Sequence, residues 1–285
     1  MLVVALVLGW GLDFVAASYF DSFGLYRGSP EESVAVVVRD YSQGLSLAEF
    51  LGNLAFLQTI VVVPLGSNGP LWSLANEWWY YILFPLVALG LLGRGPSRIL
   101  SWGWALILVV WLPKGILVLF GVWLLGVACS LFQRRLLPWW LSAITCGGAL
   151  LAVRMEVLTT PHLNQFLISG GFGLLLNSLV RMKWRFPLAS VSTKLADFSY
   201  TTYLVHFPLL CFVLSLMESI FGFGLRESFG WASVAMVVTV VGLVLWVSWM
   251  LSRVTEAKTP IFRGWLYRLA KVEGRHDPSV LEGAS

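Results

Sequence analysis

Eight stretches of this chain are apolar for long enough, or nearly long enough, to cross the roughly 30 Å hydrocarbon core of a bilayer: residues 1–20, 71–92, 99–113, 115–131, 139–153, 166–180, 200–221 and 229–250. Backbone amides inside lipid have to be satisfied within the structure, and runs of this length achieve that as helices. The expected fold class is therefore all-α, a polytopic transmembrane helix bundle of about eight spans plus a re-entrant or ninth helix. Composition fits this: 58% of the 285 residues are apolar and only 12% are charged, with a mean hydropathy of +0.80, outside the range of a soluble domain. Fifteen tryptophans and eight tyrosines suit a chain that meets the membrane interface repeatedly. Residues 1–20 resemble a signal peptide only superficially. They lack a basic start, contain Asp13 and end without a small-residue cleavage site, so a retained span is expected.

The ninth candidate, residues 45–63, carries Glu49, Asn53 and Gln58 and stops at a break running from Pro64 to Pro70. Fourteen of the 19 basic residues fall in four places: Arg94 and Arg98, Arg134 and Arg135, the group Arg181, Lys183, Arg185 and Lys194, and the tail beyond Met250. The positive-inside rule puts those regions, and hence the C-terminus, in the cytoplasm. Residues 21–44, with Asp21, Glu31, Glu32 and Asp40, then lie outside. The assignment of later loops is the same whether residues 45–63 cross or turn back, and the re-entrant reading is preferred. Non-helical backbone at membrane depth is tolerated only when buried in protein or lining a wet cavity, so the Pro64–Pro70 break points to a pocket. No internal repeat is visible. Residues 1–265 read as a single membrane domain and 266–285 as a cytoplasmic tail, whose polar end, 273–285, is expected to be disordered.

Several function classes drop out. The isoelectric point near 9.1 reflects cytoplasmic loops; no stripe of basic residues interleaved with aromatics suggests a nucleic-acid partner. Cys129, Cys146 and Cys211 lie singly in apolar runs, without metal-ligand or disulfide spacing, and read as packing residues; no metal site is expected. Gly170-Gly171-Phe172-Gly173 reads as a close helix contact, because neither a preceding strand nor a following Lys-Ser/Thr makes it a phosphate loop.

Chemistry is suggested at two places. In the stretch from Asn68 through Pro85, Glu77 sits inside an apolar run, where an ionisable group costs roughly 2.5 to 3.5 kcal/mol and faces a cavity by default. Pro70 suits an opening helical position, with Ser67 or Asn68 available to cap the free amides before it. Ser73, Glu77 and Tyr80 or Tyr81 share one helical face by their spacing, with Asn68 and Trp72 just upstream. The alternative is a buried Glu77 that locks packing through Ser and Tyr hydroxyls. In the second place, Ser199, Tyr203 and His206 stand at i, i+4 and i+7, beside Tyr200, and Pro208 removes the amide that would have bonded the Leu204 carbonyl. His206 is the natural proton carrier near neutral pH, or equally a structural hydrogen-bonder at a helix junction. Asp13 and Glu218 read as snorkelling or paired acids, and Glu256 and Pro260 as a tie at the cytoplasmic mouth.

These segments resemble the acyltransferase-3 family of bacterial inner-membrane enzymes. The pattern Asn-x-Pro-Leu-Trp-Ser-Leu-x-x-Glu, followed by aromatics and Phe-Pro, is matched from Asn68 through Pro85; Ser-Tyr-x-x-Tyr-Leu-x-His-x-Pro is matched from Ser199 through Pro208. A terminal Glu-and-Pro element corresponds to Glu256 and Pro260 with a looser gap, and the likeness covers roughly residues 45–265. One departure stands out. Such proteins usually begin with a helix bearing an Arg and a His regarded as the base, then a second helix ending in a Phe-Phe-x-x-Ser-Gly-like run and an Arg-rich turn, and none of these is matched here. Residues 1–20 look like the family's third helix, so a front end upstream is expected; a truncated gene, or a chain working without the usual base, are the alternatives.

The resemblance implies transfer of an acyl group, commonly acetyl, from acyl-CoA to a carbohydrate or glycolipid hydroxyl at the bacterial cytoplasmic membrane, with no tightly bound cofactor. The partners it implies are the acceptor, acyl-CoA and the lipid bilayer. A sugar alcohol is a poor nucleophile at neutral pH, so transfer needs a base and donors around the thioester oxygen. Glu77, His206 and Tyr203 are the expected catalytic residues, with Asn68, Trp72, Ser73, Tyr80, Tyr81, Ser199 and Tyr200 shaping the substrate site. An incomplete remnant or subunit is one rival. A transporter is another, though it would bring the inverted repeats that are not seen.

Overall fold

In the computed structural model the described residues are 1–21, 26, 41–132, 134–157, 159–180, 182, 189–222, 230–259 and 264–265. Arg181, Lys183, Arg185, Pro260, the tail from residue 266 and most of the acidic 21–44 connection lie outside them. Ten α-helices occur among the described residues: α1 (Leu2–Tyr19), α2 (Leu47–Leu54), α3 (Trp72–Leu92), α4 (Pro96–Trp111), α5 (Lys114–Leu131), α6 (Trp139–Arg154), α7 (Pro161–Leu179), α8 (Ala189–Ala196), α9 (Ser199–Phe221) and α10 (Trp231–Val254). The chain is an all-α membrane protein, and each of the eight apolar runs lies on a helix. The lengths and hydropathy of α1, α5, α9 and α10 suit a span; α4 and α6 are shorter apolar helices. The sequence reading did not foresee α8, whose eight residues, polar or small apart from Val191 and Leu195, form no apolar run.

The chain divides into two compact units: residues 1–55, 63–71 and 190–285 form one, and residues 56–62 and 72–189 the other. In the first unit α1 packs on α9, and α9 on α10. The reason is legible along α1. Ala5, Leu6, Gly9, Asp13, Ala16 and Ala17 are buried on one side, and their small size brings the neighbouring backbone close. Val3, Val7, Trp10 and Phe14 stay exposed on the other, as expected of a face turned to lipid.

Residues 45–63 do not form a continuous spanning helix. Eight residues of α2 rise only about 12 Å, less than half the hydrocarbon core. Ser46 caps α2 by accepting the Glu49 amide. Segment entry and exit then meet: the Gly66 amide donates to the Gly44 carbonyl at 3.0 Å. Asn53, fully buried, fastens the return. Its Nδ2 donates to the Glu49 and Val63 carbonyls at 2.8 and 2.9 Å, and its Oδ1 accepts the Leu65 amide at 3.1 Å. The two ends of this excursion therefore lie side by side.

The second unit runs through α3 to α7, with Pro96 and Pro161 at first-turn positions of α4 and α7 where the missing amide is harmless. Its helices approach closely at glycines. A side chain at Gly171 would meet the Cys146 backbone at 3.0 Å, and one at Gly173 the Cys129 Sγ at 2.9 Å; the Gly170–Gly173 run is thus a helix contact, and these two cysteines are packing residues. Asn177 ties the α5–α6 turn, accepting the Leu136 amide at 3.0 Å and donating to the Phe132 carbonyl at 3.2 Å.

Candidate functional site

The first unit brings the opening residues of the first motif, Asn68 to Leu71, together with the second motif around a non-helical turn. Gly66 takes a positive φ of 51°, open to glycine at no steric cost, and a Cβ there would lie 2.1 Å from Asp13 Oδ2. The turn therefore presses directly on α1. Asp13, fully buried, accepts the Ser67 amide at 2.6 Å and the Ser67 hydroxyl at 2.7 Å. Buried backbone outside a helix needs such internal partners, and a carboxylate accepting two donors is a strong one.

One residue on, the Asn68 side chain reaches α9. Its Nδ2 donates to the Leu204 carbonyl at 3.2 Å, the carbonyl that Pro208 leaves without its helical donor. In return, the Tyr203 hydroxyl donates to the Pro70 carbonyl. Each motif thus lends a side chain to a backbone carbonyl of the other. Gly9 makes room beneath them: a Cβ there would sit 3.3 Å from Pro208 and 3.5 Å from Asn68. The Asn68 Oδ1 is buried and accepts no hydrogen bond among the described residues.

His206 lies next to this exchange and is partly buried. Its Nδ1 is 2.8 Å from the Tyr203 carbonyl and 3.2 Å from that of Thr202. Carbonyl oxygens only accept, so Nδ1 is a donor here, and in the neutral ring Nε2 keeps the lone pair. The ring stands 6.0 Å from Tyr203 and 6.3 Å from Phe207, centroid to centroid. With Nδ1 engaged in this way, Nε2 is the ring nitrogen left for a substrate.

Three details depart from the sequence reading. Ser67 and Asn68 do not cap α3; their side chains are held by Asp13 and Leu204, and a 3-10 turn at Gly69–Leu71 precedes the helix. Ser199 does not join the stripe of Tyr203 and His206, because its hydroxyl turns back to the Ala196 carbonyl at 2.9 Å. Tyr80 does not face Glu77. It is buried, and its hydroxyl donates to the Ile116 carbonyl at 3.1 Å, among Phe120 and Trp123.

Glu77 belongs to the second unit. Half-buried on α3, it accepts the Tyr81 hydroxyl one turn on. Ser73 is half-buried, while Trp72, at 45% accessibility, and Tyr200, at 42%, are exposed. Trp78 stacks on Phe56 at 4.7 Å, and Trp79 Nε1 donates to the Phe56 carbonyl at 2.9 Å, so the 56–62 turn is pinned to the helix that carries Glu77. Phe56 and Thr59 hold positive φ angles of 57° and 66°, conformations that persist only when surroundings impose them.

A family model described as an acyltransferase domain matches residues 4–253. The chain belongs to the acyltransferase-3 family. No match was found among curated proteins or among solved structures. The stretch assigned to the acyltransferase-3 domain begins in α1, so Asp13 and Gly9 fall inside it together with both motifs. These two residues, with Ser67, are what sequence reasoning missed. The signal was present, since Asp13 is an ionisable residue in an apolar run just as Glu77 is. Glu256, by contrast, was expected to form a tie, and it accepts the hydroxyl of the fully buried Thr201 at 2.7 Å. Outside the spans, burial pushes the Tyr26 phenol upward, and the Asp13 carboxylate acts in the same direction.

Proposed function

We propose that this acyltransferase-3 protein moves an acyl group, acetyl by preference, from acyl-CoA to a carbohydrate hydroxyl of a cell-surface glycan or glycolipid, in the bacterial cytoplasmic membrane with its C-terminus inside. The observation that carries the reading is the pair of contacts from His206 Nδ1 to the Tyr203 and Thr202 carbonyls. With Nδ1–H committed to backbone carbonyls, Nε2 accepts the proton of the acceptor hydroxyl as its oxygen attacks the thioester carbon. The new carbon–oxygen bond forms, the carbon–sulfur bond breaks, and the thiolate leaves with the proton returned through the imidazole. Tyr203 spends its hydroxyl proton on Pro70 and acts as a positioning residue, holding the turn beside the base. Glu77, whose carboxylate accepts the Tyr81 hydroxyl, is a second proposed catalytic residue, carried by the other unit.

Support for this reading is the family membership together with a histidine whose Nδ1 is held by carbonyls of its own motif. Membranes containing the full-length protein, incubated with acetyl-CoA labelled in the acetyl group, are expected to place label covalently on glycan. Label taken up without covalent attachment would instead favour transport, and no label in either form would favour a catalytically incomplete chain.

A further inference from the structure

The first unit holds a second site-like feature, away from the Asn68–Tyr203 exchange. A cleft of about 640 Å³ is lined by Lys194 in the last turn of α8, Asp197 and Phe198 between α8 and α9, Trp249, Ser252 and Arg253 at the end of α10, and Glu256 just beyond it. Its volume lies within the range of about 300 to 1,000 Å³ usual for small-molecule sites. Lys194 and Arg253 form no ion pair among the described residues, and both are exposed. The Arg253 guanidinium lies over one face of the Trp249 ring, 5.9 Å from its centre, and the indole is still about half exposed, so a cation and an aromatic surface are offered together.

The lining chooses among anionic ligands. A bare phosphate or a lipid phosphate would meet Asp197 and Glu256 as well as the two cations. A nucleotide meets all of them, because its phosphates suit Arg253 and Lys194, its amino and hydroxyl groups donate to carboxylates, and its base stacks on an indole. Glu256 is held for this by Thr201, which occupies only one of its oxygens. The geometry points to this cleft as the binding site for the nucleotide end of the acyl donor, an inference that rests on the acyl-CoA reading above. It gives the donor's polyanionic end a place on the α8–α9–α10 end of the unit, with Lys194 and Arg253 as phosphate contacts and Trp249 as the base platform.

The test is CoA binding to the full-length protein in nanodiscs of neutral phosphatidylcholine. Lys194→Gln and Arg253→Gln are each expected to weaken CoA about tenfold, corresponding to the loss of one charge-assisted contact. Arg154→Gln, at the end of α6, is expected to leave it unchanged. Added salt should weaken wild-type binding, since the cations are exposed. Adenosine 3′,5′-bisphosphate should compete, and Trp249→Leu should weaken CoA but not inorganic phosphate. Wild-type binding that neither charge variant alters would overturn this site while leaving the acyl-CoA reading intact. Absence of wild-type binding would overturn both. If phosphatidylglycerol in the nanodisc displaces CoA, and Arg253→Gln abolishes that effect, the cleft is a lipid-headgroup site and the nucleotide assignment fails.

Discussion

The Asn68 side-chain amide donates to the Leu204 carbonyl at 3.2 Å, the acceptor that Pro208 strips of its helical partner. This gives a coupling that can be measured. Asn68→Ala leaves a buried carbonyl unsatisfied, at a cost of about 1–3 kcal/mol, and should lower the thermal midpoint in detergent. Pro208→Ala restores an amide at position 208, so in that background Asn68→Ala should cost clearly less. Additive effects of the two substitutions would show that Leu204 does not depend on Asn68.

Asp13 separates charge from hydrogen bonding. Asp13→Leu strands the Ser67 amide and hydroxyl, on the order of 3 kcal/mol, and should cut the yield of folded protein sharply. Asp13→Asn still accepts the amide and offers its own N–H to the hydroxyl, so folding should be largely retained. Gly66→Ala should resemble Asp13→Leu, because its Cβ meets Asp13 Oδ2 at 2.1 Å in a positive-φ turn. Thermal melts of purified variants check all three; a wild-type melt for Gly66→Ala would remove the close contact from the account.

For Glu77, substitution by Gln keeps an acceptor for Tyr81 and removes the charge. The expected outcome is unchanged membrane level with turnover lowered about 100-fold or more, and a smaller loss for Tyr81→Phe. Near-normal labelling of glycan by Glu77→Gln would assign the residue to packing.

Much of the fold was legible because lipid imposes one rule on every apolar run, and each of the eight runs became helical. The site was legible only in part, for reasons visible at individual residues. Pro208 announced a free carbonyl, but nothing local named its partner, which lies 136 positions earlier. Tyr80 and Tyr81 both satisfy helical spacing from Glu77; packing against α5 decided between them by giving Tyr80 the Ile116 carbonyl. Ser199 had a choice between its helix face and the preceding Ala196 carbonyl, and the short-range bond won. Helical spacing specifies faces, whereas long-range hydrogen bonds specify which face residue is used.

The central claim is that His206 Nε2 takes the acceptor proton. His206→Asn places an amide N–H where Nδ1–H stands, so the bond to the Tyr203 carbonyl survives while the basic nitrogen is lost. Initial rates of labelled acetyl transfer to glycan, compared at equal membrane protein, are predicted to fall by about 10² to 10⁴ with the melting temperature unchanged. Transfer at the wild-type rate by His206→Asn would contradict the account.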